Sequence, residues 1–327
     1  MESVTPAASR PRHQLLVSSQ WVEENINQVV VIDATWLMPP AAPHKVQIPG
    51  MRYTSAADLC VLFFDEMLSS FCVFAGVIFF DIEKVAEEGS TLPHMLCSAS
   101  QFEEWMDAHH ITNDDHILLY DHSDGRLVAS ARVWWNFYIF GHEKVSILEG
   151  GFQNWPKNIT SVPARSSSAS NSGKYKATFR PELVRSAEQM LTLLTNKDDV
   201  QVLDAREEER FYGRGDEPAY RNVPSGSIPG SVSLPMLALF TPSTTSEGGT
   251  ILYLKDSSEL KVEFEKRGID LSKDIVCSCG SGVTACVEAL ALYLLGKEEN
   301  VSVYDGSWTE WVRREDTPKQ HLQQRNQ

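Results

Sequence analysis

A cysteine followed by a short glycine-containing turn is the part of this sequence best suited to chemistry. The run reads Cys279-Gly-Ser-Gly-Val-Thr-Ala-Cys286, and the stretch Asp274–Ser278 before it is apolar enough to predict a strand. A helix is expected to begin near Thr284. The N–H groups of the turn and the positive helix end would then point at one sulfur, which favours the thiolate. Cys279 is therefore predicted to be a nucleophile.

Four further residues are predicted to form the loop that cradles this sulfur: Gly280, Gly282, Val283 and Thr284. The two glycines let the backbone curl without a Cβ clash, and the hydroxyls of Ser281 and Thr284 can supply hydrogen bonds. If Cys279 were only a small apolar residue at a strand end, the Gly-Ser-Gly turn would need a separate explanation. Cys277 and Cys286 are expected to be packed in the core.

A cysteine in such a loop also suggests a cysteine phosphatase. That class needs an arginine at the sixth position after the nucleophile, to bind the phosphoryl oxygens in a bidentate manner. Here this position is Ala285. The sequence therefore disfavours a phosphatase.

Charge and composition reduce the number of partner and cofactor classes that the protein is expected to bind. Lys and Arg number 29 against 44 Asp and Glu, a formal net charge of -15, which disfavours nucleic acid and anionic membranes. Six cysteines are too few for a disulfide framework, so reduced thiols are expected. The first residues lack a secretory signal and make a weak transit peptide, which favours the cytosol and leaves mitochondria open. No metal or organic cofactor is expected, because neither ligand spacing nor a dinucleotide fingerprint is present.

The chain of 327 residues repeats one order of features, which predicts a duplicated α/β domain with mainly parallel sheets. Apolar runs end in Asp33-Ala-Thr and in Asp204-Ala-Arg, and Ile-Pro-Gly follows each of them. We predict an N-terminal domain over residues 14–158 and a linker over residues 159–180. A C-terminal catalytic domain over residues 181–315 and a polar tail over residues 316–327 follow.

The sequence resembles the two-domain rhodanese family of sulfurtransferases, and within it the branch that uses 3-mercaptopyruvate. Three motifs carry the resemblance: the Cys279 loop, Tyr304-Asp-Gly-Ser-Trp, and Arg132-Val-Trp-Trp with the later Gly141-His. The thiosulfate-using branch has Arg-Lys directly after the cysteine, where this chain has Gly280 and Ser281. The resemblance implies two rhodanese-like domains and a persulfide on Cys279.

The resemblance also assigns roles to residues outside the loop. Asp121 aligns with Cys279, so the first domain is expected to be catalytically silent. Arg210 matches the arginine that binds the substrate carboxylate, and Arg221 is the nearest candidate for a second one, with a solvated surface role equally open. Ser281 matches a catalytic serine. For proton handling, Glu83 falls at an acidic family position and His94 at a histidine position, although His94 could equally be structural.

The implied reaction moves sulfur from 3-mercaptopyruvate to a thiol such as thioredoxin or glutathione, or to cyanide, and releases pyruvate. Two alternatives stay open. The same fold could use thiosulfate, or the chain could be a non-catalytic rhodanese-like binding protein.

Residues 51–74 depart from the family pattern. This segment is apolar, unlike the polar loops that usually tolerate insertion, and its removal restores the family run Ile-Pro-Gly-Ala-Gly-Val-Ile-Phe-Phe-Asp. We interpret it as an atypical insert or a translated retained intron. Its four charged residues make it a poor membrane span.

Overall fold

The computed structural model describes residues 14–36, 75–163, 174–196, 199–218, 221–245 and 248–320. The first domain contains a five-stranded sheet whose order is β1-β5-β4-β2-β3, with every neighbouring pair parallel. Its strands are β1 (Leu16–Val17), β2 (Val30–Asp33), β3 (Ile78–Phe79), β4 (Ile117–Tyr120) and β5 (Val145–Leu148). The central strands are buried on both faces, which is why they are continuous runs of Val, Ile and Leu.

The second domain repeats this sheet strand for strand, in the parallel order β6-β12-β11-β7-β8. Its strands are β6 (Val184–Arg185), β7 (Val200–Asp204), β8 (Val232–Ser233), β11 (Asp274–Ser278) and β12 (Val301–Tyr304). In both sheets the middle strand precedes the loop of interest: β4 leads to Asp121 and β11 leads to Cys279. The predicted duplication and the mainly parallel α/β fold are confirmed.

Eight α-helices connect and cover the sheets of the described residues. They are α1 (Ser19–Asn25), α2 (Ala99–Ala108), α3 (Val128–Ile139), α4 (Ala187–Asn196), α5 (Glu208–Phe211), α6 (Ser257–Lys266), α7 (Ala285–Leu294) and α8 (Ser307–Arg313). Capping boxes fix the start of two of them, since Ser98 and Gln101 bond reciprocally before α2, as Asp256 and Glu259 do before α6.

The two domains pack together through α3 and α7, the helices that follow the two equivalent loops. Both helices are buried around most of their circumference, which is why apolar residues occur on all their faces; Arg132 in α3 and Glu288 in α7 are buried charged residues among them. Trp134 of α3 meets Tyr293 of α7 edge-on, with ring centroids 5.3 Å apart. The loops at the N-terminal ends of these helices are therefore brought to one interface.

A two-stranded antiparallel hairpin of the second domain forms another contact with the first. Its strands are β9 (Phe240–Thr244) and β10 (Thr250–Leu254). The N–H of Leu252 donates to the carbonyl of Asp124 over 3.0 Å, and Asn154 donates to the Tyr253 hydroxyl over 2.9 Å. The hairpin thus holds the loop that follows β4.

Described residues within the predicted linker pack on the first domain. Val162 and Tyr175 are buried, and the N–H of Tyr175 donates to Asp107 over 2.8 Å. At the start of the predicted tail, Gln320 pairs with Ser227 in an antiparallel bridge. The segment 51–74 lies outside the described residues. No described helix is long and apolar enough to cross a membrane.

Glu288 of α7 is the most anomalous core residue. It is fully buried, and neither carboxyl oxygen has a hydrogen-bond partner of standard geometry within the described ranges. Burial raises the pKa of Glu288 well above its ordinary value, and the nearby carboxylate of Asp204 acts in the same direction. Burial therefore favours the neutral acid form of this side chain, which lies next to the thiol of Cys277.

Glu288→Leu is expected to raise the free energy of unfolding at pH 7 by about 1–3 kcal/mol, because it removes a desolvated polar group. The gain should shrink toward pH 4. Above the pKa of Glu288 in the unfolded chain, unfolding releases a proton that the folded protein keeps. The free energy of unfolding of the wild type therefore falls by about 1.4 kcal/mol per pH unit until the folded pKa is reached.

Urea unfolding of both proteins at pH 4.5, 6 and 7 would measure this difference. Glu265→Leu on the exposed face of α6 is the matched control, and it should show no comparable pH-dependent gain. A gain from Glu288→Leu that did not vary with pH would contradict the assignment of a protonated carboxyl.

Candidate active site

Cys279 lies directly after β11, at the carboxyl end of the middle strand of its sheet, which is where parallel α/β sheets bind ligands. It is 2 % exposed and contributes to the wall of a cavity of about 420 Å³. Both domains contribute to this cavity, with Trp36 and Ser123 on one side and Met236 and the Cys279 loop on the other. A small substrate can therefore reach the sulfur from a cleft between the domains.

The residues after Cys279, numbered 280–284 and here called the cradle loop, stabilise a thiolate. Burial alone would raise the pKa of Cys279, yet the pKa is lowered from its ordinary value. Hydrogen bonds from the Thr284 hydroxyl and from the N–H groups of Ser281 and Ala285 outweigh burial, and the charge of Arg221 helps. The cradle loop thus offers several donors to one sulfur anion.

A serine from another strand end holds the cradle loop in this shape. The Ser307 hydroxyl accepts from the N–H groups of Cys279 and Gly282, each over 3.1 Å, and donates to the Tyr304 carbonyl over 2.8 Å. Thr309 bonds the carbonyl of Gly280. Sequence reasoning did not assign roles to Ser307 and Thr309, although the Tyr304-Asp-Gly-Ser-Trp motif was the available signal.

The other described thiols lack this environment. Burial raises the pKa of Cys277 and of Cys286 well above the ordinary value, and it raises the pKa of Cys97 to about 12. Cys286 donates its S–H to the carbonyl of Gly282 over 3.2 Å. Cys279 is therefore the described cysteine suited to act as a nucleophile.

Three arginines converge on the carboxylate of Glu217 at the second-domain wall of the cavity. Arg206 donates over 2.7 Å, Arg210 over 2.5 Å and Arg221 over 3.1 Å. Burial acts to raise the pKa of Glu217, but the hydrogen bonds and charges of Arg210 and Arg206 bring it below its ordinary value. Arg206 is also bonded to Asp204, so two carboxylates face three guanidinium groups. The cluster carries one net positive charge beside Cys279.

Arg221 reaches the cradle loop itself. It is 4 % exposed, and its Nη2 donates to the Ser281 hydroxyl over 3.0 Å. A Cβ at Gly280 would lie 1.7 Å from Nη1 of Arg221, so the glycine leaves the space that the guanidinium occupies. The structure therefore places Arg221 in the site and not on a solvated surface.

In the first domain, the loop equivalent to the cradle loop already holds an anion. The carboxylate of Asp121 accepts from the N–H groups of Ser123, Ala129 and Ser130, over 3.1, 3.0 and 2.8 Å. Two of these donors, Ala129 and Ser130, lie in the first turn of α3, as Ala285 lies in the first turn of α7. The comparison within one chain shows that this loop geometry binds a negative charge at the strand end.

Glu83 and His94 contact each other on the first-domain side of the cleft. Oε1 of Glu83 lies 3.1 Å from Nδ1 of His94 and accepts from the Trp36 indole over 2.8 Å. Burial acts to raise the pKa of Glu83, but its interactions with His94 and Trp36 lower it. Of the three, Trp36 lines the cavity with Cys279, and Glu83 and His94 lie behind it.

Gly280→Ala is expected to displace the Arg221 guanidinium and to break its bond to Ser281, because the new methyl group would overlap Nη1. We expect the KM for an anionic sulfur donor to rise by about tenfold, the loss of one charge-assisted hydrogen bond. Steady-state kinetics would measure this change.

Gly249→Ala in the hairpin turn is the matched control, since its nearest neighbour is 3.3 Å away. Unchanged KM in Gly280→Ala would mean that Arg221 does not bind the donor.

Comparisons with known proteins agree with this geometry. The rhodanese-like domain family matches residues 82–158 and 186–314. Thiosulfate sulfurtransferase of Mus musculus is 35% identical over 311 residues, which is 92% of this chain and 93% of that protein. The 3-mercaptopyruvate sulfurtransferase of the same organism is 36% identical over 305 residues, 91% and 92% of the two chains.

Solved structures give the same result. The crystal structure of SseA from Escherichia coli, described as a 3-mercaptopyruvate sulfotransferase of rhodanese fold, matches with a TM-score of 0.68 at 32% sequence identity. The match covers 90% of this chain and 99% of SseA. With the duplicated fold and the cradled cysteine, these likenesses establish that the chain is a sulfurtransferase and belongs to the two-domain rhodanese family.

Proposed function

We propose that this sulfurtransferase takes sulfur from 3-mercaptopyruvate as a persulfide on Cys279 and releases pyruvate. The supporting observation is a cysteine of lowered pKa in a cavity that Arg210 and Arg221 also line. A 2-oxo acid carries a carboxylate that a guanidinium group binds well. The cluster around Glu217 supplies two such groups near the sulfur.

In the first half-reaction, the Cys279 thiolate attacks the sulfur of the donor. The S–S bond forms while the carbon–sulfur bond of the donor breaks, and its electron pair stays on carbon as the enolate of pyruvate. Arg210 and Arg221 hold the carboxylate end, and a proton then converts the enolate to pyruvate. The N–H groups of the cradle loop stabilise the persulfide in the position of the thiolate.

Ser281 is the candidate that we favour for delivering this proton. Its oxygen accepts from Arg221, so its own O–H is left to donate, and it lines the cavity beside Cys279. Glu83 and His94 both contact Trp36, which lines the cavity, whereas they are not among its lining residues, so we infer that they would act through intervening groups. We propose that this pair positions Trp36.

In the second half-reaction, a thiolate acceptor attacks the outer sulfur of the persulfide. The S–S bond breaks, the Cys279 thiolate is restored, and the acceptor leaves as a persulfide, which a second thiol reduces to hydrogen sulfide. Thioredoxin and glutathione are acceptors of this chemical class, and cyanide would leave as thiocyanate. Because the two substrates meet one enzyme sulfur in turn, ping-pong kinetics are expected.

Thiosulfate is the competing donor, since relatives named for either donor are about equally similar to this chain. The cradle loop favours 3-mercaptopyruvate. It has no cation of its own at Gly280 and Ser281, and the nearby charge of Arg221 is shared with Glu217. The thiosulfate dianion therefore gains less binding free energy at this loop than 3-mercaptopyruvate does, since the single carboxylate of the keto acid needs only one guanidinium group.

The test is pyruvate and sulfide release from 3-mercaptopyruvate with a reducing thiol, with thiosulfate and cyanide assayed in parallel. The intact chain should prefer 3-mercaptopyruvate by at least about tenfold in kcat/KM, about 1.4 kcal/mol. Cys279→Ser should lose all activity, and mass spectrometry should find one added sulfur on the Cys279 peptide of the wild type after donor treatment alone.

A form lacking residues 51–74 separates the insert from the site. Activity only in this form would mean that the insert prevents the reaction in the intact chain. Preference for thiosulfate would overturn the proposed donor, and a wild type without persulfide would overturn the proposed mechanism.

Arg210→Met is expected to raise the KM for 3-mercaptopyruvate by about tenfold to a hundredfold, because the carboxylate loses a charged partner. Alkylation of Cys279 by iodoacetamide should stay at the wild-type rate, since the cradle loop is intact. Arg214→Met, four residues away and paired with Glu209 at the surface, is the control and should leave KM unchanged. An effect on alkylation without an effect on KM would contradict carboxylate binding by Arg210.

A further inference from the structure

A buried arginine of the first domain contacts the cradle loop of the second. Arg132 belongs to α3 and is 1 % exposed. Its Nη1 donates to the carbonyl of Gly282 over 3.1 Å and to Oδ1 of Asp305 over 2.7 Å, while Nη2 donates to the carbonyl of His94. One guanidinium group therefore joins three segments that are far apart in the sequence.

The partner of this arginine also connects the domains. Asp305 follows β12 directly, and its second oxygen accepts from the N–H of Leu96 in the first domain over 2.7 Å. The next residues of that turn include Ser307, which holds the N–H groups of the cradle loop. Arg132 thus contacts the cradle loop directly at Gly282 and indirectly through the turn that supports it.

The contact fixes the direction of one peptide group. The carbonyl of Gly282 accepts from Arg132 and from Cys286, so both of its donors lie on the side of α3 and α7. In a trans peptide the carbonyl and the following N–H point in opposite directions. If this carbonyl turned toward Cys279, a negative dipole end would enter a site built to hold an anion.

The position of Gly282 also admits no side chain. Its φ is +76°, a left-handed conformation that favours glycine. A Cβ there would lie 2.5 Å from the Asp305 carbonyl oxygen and 2.9 Å from Nη1 of Arg132. The backbone of Gly282 therefore approaches the Arg132 and Asp305 pair too closely for any side chain to fit at this position.

We propose that Arg132 is a positioning residue for sulfur transfer, by which the first domain holds the Gly282 peptide turned away from Cys279 and keeps the anion cradle open. This gives the silent domain a part in the chemistry beyond forming a wall of the cleft. The inference rests on Cys279 as the sulfur carrier, but it does not depend on which donor is used.

The test is the pH dependence of Cys279 alkylation by iodoacetamide, read on the Cys279 peptide by mass spectrometry. Charged or titratable groups around Cys279 include Arg132, Arg221, Cys277, Cys286 and Glu288. Asp305 pairs with Arg132, Asp204 lies near Glu288, and further charged residues line the same cavity: Arg126, Arg206, Glu207, Arg210 and Asp216. Arg132→Met alters only the first of these groups. Arg132→Met should move the midpoint up by about one pH unit, because the Gly282 carbonyl is released to turn toward Cys279 and a nearby positive charge is lost.

Kinetics separate positioning from donor binding. In Arg132→Met, kcat should fall by about tenfold or more while the KM of the donor stays within about twofold, because Arg210 and Arg221 are untouched. Arg132→Lys keeps the charge but not the forked donors, so it should restore part of kcat and part of the midpoint.

Two further variants keep the test decisive. Arg132→Met alone leaves Asp305 buried without its ion-pair partner, so the double variant with Asp305→Asn removes both charges and protects folding. Tyr253→Phe, which removes an interdomain hydrogen bond to Asn154 at the hairpin, is the control for domain docking. A folded double variant with wild-type midpoint and kcat would overturn the proposal, as would an equal shift in Tyr253→Phe.

Discussion

The structure depends on stabilising the thiolate form of one buried cysteine. A thiolate that is 2 % exposed loses most of its hydration, and the protein must replace that hydration with its own dipoles. The N–H groups of the cradle loop and of the start of α7 donate hydrogen bonds to the sulfur in place of water. They point at the sulfur only while the cradle loop keeps its observed backbone conformation. Ser307, Thr309 and Arg132 each bond a different backbone group of that loop.

Charge balance is the second constraint, and it follows from the first. A buried anion needs nearby positive charge, but three uncompensated guanidinium groups in one wall would destabilise the fold. Glu217 and Asp204 neutralise most of that charge and fix where the guanidinium groups lie. Arg210 and Arg221 are thus held in position before any substrate arrives, which lowers the entropy cost of binding a carboxylate.

The sequence predicted the repeated parts of the molecule well, because the signals there are local. The apolar stretch Asp274–Ser278 marked β11 at its observed bounds, and the Gly-Ser-Gly turn marked the strand-to-helix junction. The cavity-lining position of Arg210 agrees with its predicted role, while the role itself remains a proposal. What the sequence did not reveal depends on distant segments.

Arg132 is the clearest example of such a residue. In the sequence it belongs to an apolar helix, and nothing nearby shows that Asp305 and Gly282 lie beside it. The role of Ser307 was not predicted for the same reason, since its partners lie 25 and 28 positions earlier in the chain. Glu288 is different again, because an acidic residue in a helix is usually solvated and its burial follows only from packing against α3 and β11.

The Asp121 carboxylate in the first domain gives the duplication a simple chemical meaning. Both halves of the chain carry the same anion receptor at the end of the middle strand. One half fills it with a carboxylate that is part of the polypeptide and never leaves. The other half fills it with the Cys279 sulfur, which in the reaction proposed above takes up and passes on a second sulfur atom at every turnover. The duplication thus gave two anion-binding loops, of which one is filled by a fixed side chain and the other is available for repeated transfer.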